Sequence, residues 1–385
     1  MIRHFRWLAA ASLIAMAVPA FAQTPPFDVR PGYRVTLAAS GLDEARFMAF
    51  DDRGVLYVSQ LRLGRVLALR DEDADGIYER KDVFLDNQKH VHGLCWHDGW
   101  MWFAPSRAVG KARDTDGDGR ADDVRMILEG LPGETGHLWR SMLVTDECIY
   151  TGVGDTGNIT DEMDSDRQKI WRYRHDGSDK TLFASGIRNT EKLRLRPGTQ
   201  EVWGVDHGSD WFGRPVGDER GRQPITDLVP PDEFNHYVEG GFYGHPFLVG
   251  SRIPRIEYQD RDDLIALAQR TIVPQWQFGA HWAANGFAFV SLDNAHLPVD
   301  HRGDAFVACH GSWNSQRKVG YRVERVLFDD VTGEPYGALR IVSTLGDGQT
   351  VQARPVDCAQ APDGSILFSC DVTQSVYRIE WVGDR

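Results

Sequence analysis

One unit recurs along this chain, and it limits the folds available more than any other feature. A polar residue is followed by a short apolar strand, a turn, a second strand ending in small residues, and a third strand leading to a charged loop. The units open at Arg46, His92, His137, Arg188, His281 and Arg354, at intervals of 46, 45, 51, 93 and 73 residues. Runs such as V-L-Y-V-S (Val55 to Ser59) and S-I-L-F-S-C (Ser365 to Cys370) follow D-x-G or P-x-G turn signals and show little helical periodicity. Intervals near 45 residues match a four-stranded propeller blade, and the two longer ones leave room for insertions at 214–229 and 251–273. The pattern predicts an all-β, six-bladed β-propeller filling a single domain over residues 23–385. Strand-like segments at both ends, Tyr33 to Ala38 and Val376 to Val382, predict closure of the ring by pairing of the N- and C-terminal strands.

If the innermost strand of every blade starts at the same end of the central channel, His92, His137, Arg188, Asn189, His281 and Arg354 converge on one mouth. Singly, each is an ordinary surface or satisfied polar residue. Repeated in phase, they predict a pocket. The stretch from Gly136 to Gly213 is its densest part, with G-H-L-W-R-S, T-G-V-G-D-T-G-N, S-G-I-R-N and V-D-H-G-S-D at apparent strand ends.

Bulk properties restrict the function. A net charge of -13 argues against a general binder of nucleic acid or anionic membrane, so an anionic ligand needs a local basic cluster. Residues 1–22 read as a signal peptide: Arg3 and Arg6, an apolar run from Leu8 to Val18, then Ala20-Phe21-Ala22. No later segment approaches the roughly 20 apolar residues of a membrane span, which predicts an exported protein, periplasmic or extracellular. Five cysteines with no C-x-x-C or C-x-x-C-H spacing indicate neither a zinc cluster nor a covalent haem. Cys358 and Cys370 flank a P-D-G-S turn. A four-residue hairpin loop would set 358 against 369 and leave the two cysteines on opposite sheet faces, unbridged.

Two loops share the spacing D-x-D-x-D-G-x-x-[DE], 43 residues apart: Asp71, Asp73, Asp75 and Glu79, then Asp114, Asp116, Asp118 and Asp122. Alternating carboxylates about a glycine turn suit Ca2+, which takes six to eight oxygens. Structural calcium is expected there, a solvated acidic turn being the other reading.

The motifs G-H-x-x-R-S, T-G-V-G-D-T-G-N, F-A-S-G-I-R-N, V-D-H-G-S-D, P-D-E-F-N-H-Y-V-E-G-G-F-Y-G-H-P, A-C-H-G-S-W-N and Q-A-R-P-V-D occur in this order. From about Tyr33 to Val382 the chain thereby resembles the pyrroloquinoline quinone (PQQ)-dependent sugar dehydrogenases, most of all their sorbosone dehydrogenase-like branch. The resemblance implies a six-bladed propeller that oxidises a sugar or sugar aldehyde by hydride transfer to PQQ. It makes His137 the general base, sets Arg188 and Asn189 against the quinone oxygens, and gives Arg354 a cofactor carboxylate. Lys318, with Arg317 as competitor, is the candidate for a cofactor lysine. Gly208 and Ser209 become carbonyl donors to a calcium beside the cofactor, and Asp232 and Glu233, with Tyr243, a second, structural calcium site. Trp139, Trp211, Trp282 and Trp313 lie beside these motifs and either stack on a ligand or pack blades. With no haem motif appended, electrons must pass to a separate acceptor, a cytochrome or quinone.

Two other classes are compatible with the fold. A calcium-dependent hydrolase of the lactonase type would line the channel with acidic and Asn residues, and a non-catalytic binding propeller would have no use for the H-x-x-R and R-N elements.

Overall fold

A computed structural model describes residues 25–213, 224–347 and 349–383. The expected signal peptide and positions 214–223 of the first insertion lie outside them.

The chain is a six-bladed β-propeller. The blades are antiparallel sheets whose innermost strands are Ala45–Phe50, Gly93–His97, Met142–Val144, Thr190–Leu195, Ala284–Phe289 and Pro355–Gln360, numbered here as blades 1 to 6. Five of the six unit-opening residues lie just before these strands, and Arg46 is the second residue of its own. Blade 6 is completed by the N-terminal strand Tyr33–Ala39, which pairs antiparallel with Ser375–Trp381, Tyr33 opposite Trp381 and Leu37 opposite Tyr377. The terminal pairing read from the sequence is thus the ring's closure.

Blades are apolar on both faces, so the core is divided into wedges between neighbours. Tyr57 and Phe84 of blade 1 pack on Met101 and Phe103 of blade 2. Trp203 and Phe234 of blade 4 pack on Phe287 and Val307 of blade 5. Phe306 and Val323 of blade 5 meet Ile366 and Phe368 of blade 6. The wedge between blades 6 and 1 joins Leu367 and Val376 to Met48 and Leu56, with Ala38 of the closing strand among them. Removing apolar area from water at about 25 cal/mol per Å2 drives all of these contacts.

The longest insertion lies in blade 4, between its third strand, Pro231–Tyr237, and its outer strand, Trp276–Ala280. It carries the helix Leu264–Arg270, and Gly241–Phe242 adds in parallel to the outer strand of blade 3. Positive φ at Gly240 (76°) and Gly244 (97°) makes the turns that return the chain toward the channel.

The cysteines are free, as expected, but for a different reason. Cys358 faces Phe368, one residue away from the register predicted, because the loop between the paired residues Gln360 and Ile366 has five residues, 361–365, where four were expected. Both sulfurs therefore belong to one apolar cluster, held apart by their separation along the hairpin.

Trp203 is 2% exposed, and its ring lies 5.1 Å from Phe234 and 5.2 Å from Phe328. Trp203→Ala is expected to cost about 3–5 kcal/mol, read as a lower denaturant midpoint with an unchanged slope.

Candidate active site

A cavity of about 580 Å3 opens at the mouth where the inner strands begin. Two sets of positions build it: residues entering the inner strands, and residues leaving the second strands of the same blades. The first set gives Arg46, His137, Arg188, Asn189, His281 and Arg354; the second gives Leu61, His207, Gly208, His310 and Asp371. Trp139 and the 75% exposed Trp313 complete the wall, whereas Trp282 lies outside it under the Arg322 guanidinium, 4.2 Å from its ring centre.

On the blade 3 wall, His137 Nδ1 lies 2.5 Å from Asp155 Oδ1. The other oxygen of Asp155 is 3.0 Å from His245 Nε2. Burial opposes the Asp155 charge, but the hydrogen bonds from His137 and His245 and the nearby Arg188 cation hold the carboxyl well below the usual carboxylate range. An ionised Asp155 requires a proton on His137 Nδ1, which places the lone pair of the neutral imidazole on Nε2. Burial pulls His245 down to about 4, so it meets Asp155 as a neutral donor. Asp155 sits within T-G-V-G-D-T-G-N, and its role is set by a contact 18 residues away that no local pattern announces. His245 arrives from the blade 4 insertion.

Arg188 donates through Nε to the Asn158 carbonyl and through Nη2 to Asn158 Oδ1, both at 3.0 Å. The backbone N–H groups of Arg188 and Asn189 donate to the buried Asp206 carboxylate at 3.0 and 2.6 Å. Asn189 Nδ2 donates to Glu191 Oε1 at 2.6 Å. Arg354 is fixed by the His310 and Gly311 carbonyls, 3.1 and 2.8 Å away. Across the cavity Arg46 pairs with Asp371 at 3.0 Å, and Asp371 with His310 Nε2 at 3.1 Å. Four guanidinium groups, those of Arg46, Arg62, Arg188 and Arg354, thus line the mouth of an acidic protein.

The remaining expected residues are divided between the cavity, where Gly208 and Asp232 lie, and other places. His92 is fully buried below the mouth, with Phe47 edge-on at 4.0 Å and its Nε2 3.5 Å from Glu191 Oε2. Lys318 is exposed, lines a separate surface pocket and donates to the Gln349 carbonyl at 2.7 Å, so it does not reach the cavity. Asp232 and Glu233 are successive residues of one strand and face opposite ways. Asp232 accepts the N–H groups of Gly208 and Ala284 at 2.8 and 3.0 Å, while Glu233 accepts that of Gly250 at 2.9 Å. Tyr243 holds its own turn, donating to the His236 carbonyl at 2.6 Å and accepting the Val238 N–H at 2.9 Å. The three side chains therefore do not converge on one point. Gly208 lines the cavity. Ser209 is buried and its hydroxyl binds Arg255 Nη1 at 2.6 Å.

The acidic loops occupy the same turn, between third and fourth strands, of blades 1 and 2. Carboxylate oxygens of Asp71, Asp73, Asp75 and Glu79 lie within 4.8 Å of one another, as do those of Asp114, Asp116 and Asp122. Asp118 is outside the second group and accepts the Arg120 N–H at 2.7 Å. Acidic and Asn residues also face the central cavity, contrary to the contrast drawn from the sequence. Its carboxylates are divided among separate partners: Asp371 among Arg46 and His310, Asp232 among backbone donors, Glu191 on Asn189.

The family model described as TrAA12-like matches residues 27–382. The chain belongs to the TrAA12-like family. Among solved structures, the family's fold is shared with the Trichoderma reesei Carbohydrate-Active Enzymes Family AA12 protein (18% identity, 95% of this chain and 100% of that one, TM-score 0.78). It is shared also with the holo form of the pyranose dehydrogenase PQQ domain from Coprinopsis cinerea (19%, 94% and 99%, 0.79). The PQQ-bound aldose sugar dehydrogenase from Streptomyces coelicolor is more distant in shape (15%, 92% and 99%, 0.62). A curated relative, an uncharacterised protein of Borreliella burgdorferi, is 28% identical over 202 residues. This chain spans about half of that protein's length, 48%.

The His245 contact has a measurable consequence. Its folded pKa, about 4, lies below the ordinary value of 6.5, so unfolding takes up a proton between those limits. The stability it contributes is complete above about pH 6.5 and declines as pH falls toward 4. His245→Asn should therefore narrow its stability gap to wild type from pH 7 to pH 4, by at most about 1.4 kcal/mol per pH unit, in urea titrations at each pH.

Proposed function

We propose that this chain is a PQQ-dependent sugar oxidoreductase, exported to the periplasm or cell exterior, that oxidises a sugar or sugar aldehyde of the aldose or sorbosone kind. The observation that carries the reading is the Asp155-held imidazole of His137 on the wall of an arginine-lined cavity. The PQQ forms among the structural neighbours support it through the shared fold.

The cavity residues fit this cofactor. PQQ carries three carboxylates, and Arg354, Arg188, Arg46 and Arg62 supply the positive charge for them. Buried Arg46 Nε and Asn314 Oδ1, on residues that line the cavity, have no hydrogen-bond partner among the described residues, which suits a polar occupant. Bound there, PQQ would supply the hydride acceptor. His137 Nε2 takes the proton of the substrate hydroxyl, and Asp155 steadies the imidazolium that results. Arg188, braced by Asn158, presents positive charge where negative charge develops, and Asn189 is oriented by Glu191. Calcium beside the cofactor would be held by the carbonyls of Gly208 and Ser209, and calcium in the two acidic loops would be structural. Electrons leave to a separate cytochrome or quinone.

Purified protein given PQQ and Ca2+ is expected to bind the cofactor, seen by absorbance, and to reduce a dye when an aldose is added. His137→Ala should keep cofactor uptake and lose about 10^2–10^4-fold in kcat. Uptake without sugar-dependent reduction, or full activity in His137→Ala, overturns the reading.

In Arg354→Ala the cofactor absorbance should fall at a given PQQ concentration while the melting temperature stays within a few degrees of wild type. Unchanged PQQ affinity would remove Arg354 from the cofactor site.

A further inference from the structure

The opposite end of the channel holds a second cavity, of about 420 Å3, to which the inner strands of all six blades contribute. Its walls are mainly apolar, with Met48, Phe50, Trp96, Leu143, Leu195 and Phe289 prominent. One cation, Arg194, stands among them. Along the inner strand of blade 4, Lys192 and Arg194 are two residues apart and so share the channel side. Lys192 crosses the axis to a buried ion pair with Asp357 of blade 6. Two residues beyond Asp357 the chain places Ala359, so the level of Arg194 has no matching carboxylate. Among the described residues Arg194 makes no ion pair, and its Nη2 only approaches the Met48 carbonyl at 3.5 Å. The polar rim is already satisfied: Gln360 accepts the Ser291 N–H at 2.9 Å and donates to Ser291 Oγ at 2.9 Å.

We propose that this far mouth is a second ligand site, for a small amphipathic anion: one carboxylate or sulfonate on a flat apolar body. The half-buried guanidinium supplies charge and a planar donor pair, and the surrounding rings and aliphatic chains supply apolar contact. The axial Lys192–Asp357 pair separates this site from the cavity that holds His137, so the two are distinct.

The test titrates the full chain with 2-naphthoate, and with uncharged 2-naphthamide, by calorimetry. Naphthoate is expected to bind one to one and about tenfold more tightly than naphthamide. Arg194→Met should abolish that advantage and leave the melting temperature near wild type, with Arg194→Gln as the second variant should the first not fold. Arg354→Met should leave naphthoate binding unchanged. Equal binding of the two ligands, insensitivity to both Arg194 variants, or loss of binding in Arg354→Met alone overturns the proposal.

Discussion

Closure of the ring is the constraint on which the rest of the molecule depends. Every blade buries apolar side chains on both faces, so no blade can end the series without exposing one of them to water. The strand Tyr33–Ala39 solves this by pairing with Ser375–Trp381 and adding Ala38 and Ala39 to the wedge between blades 6 and 1. Closing a loop of over three hundred residues has an entropic cost that grows only slowly with length. The apolar wedge it completes is large by comparison. Once the ring is closed, the beginnings of six inner strands share one mouth as a matter of geometry.

That mouth gathers charge that would be unfavourable if unpaired. Guanidinium groups are distributed around it so that each is braced by an acceptor: Arg188 by Asn158, Arg354 by two carbonyls, Arg46 by Asp371. The braces hold each head in place while leaving part of its donor set directed at the cavity. The same arrangement serves the imidazole of His137, fixed at one nitrogen and open at the other. Pre-organised groups of this kind need not reorient when charge appears beside them.

Much of this was legible in the sequence, because a propeller repeats and a repeat leaves its period in the chain. The inner strands, the closing pair and the residues that enter each blade follow from spacing. Residues that leave the second strands, such as His207, His310 and Asp371, share the same period, but they differ in type from blade to blade. Asp155 and His245 were obscure for another reason: their meaning lies in a contact across 90 residues, made by an excursion whose path no local pattern encodes. His92 misled because phase alone does not give depth, and a residue at the correct register was set below the mouth behind Phe47 and Trp139. Lys318 lies at a separate surface pocket, and strand alternation separates the carboxylates of Asp232 and Glu233, neither of which local spacing reveals. In the cysteine hairpin one extra loop residue shifts the register by one position, and the two thiols still stay apart.

The buried pair of Lys192 and Asp357 has a topological consequence. It stoppers the axis, which makes the ring a cup with two unconnected bowls instead of a tube. Whatever enters the upper bowl must go out the way it came. Any two ligands of that bowl would share the one entrance.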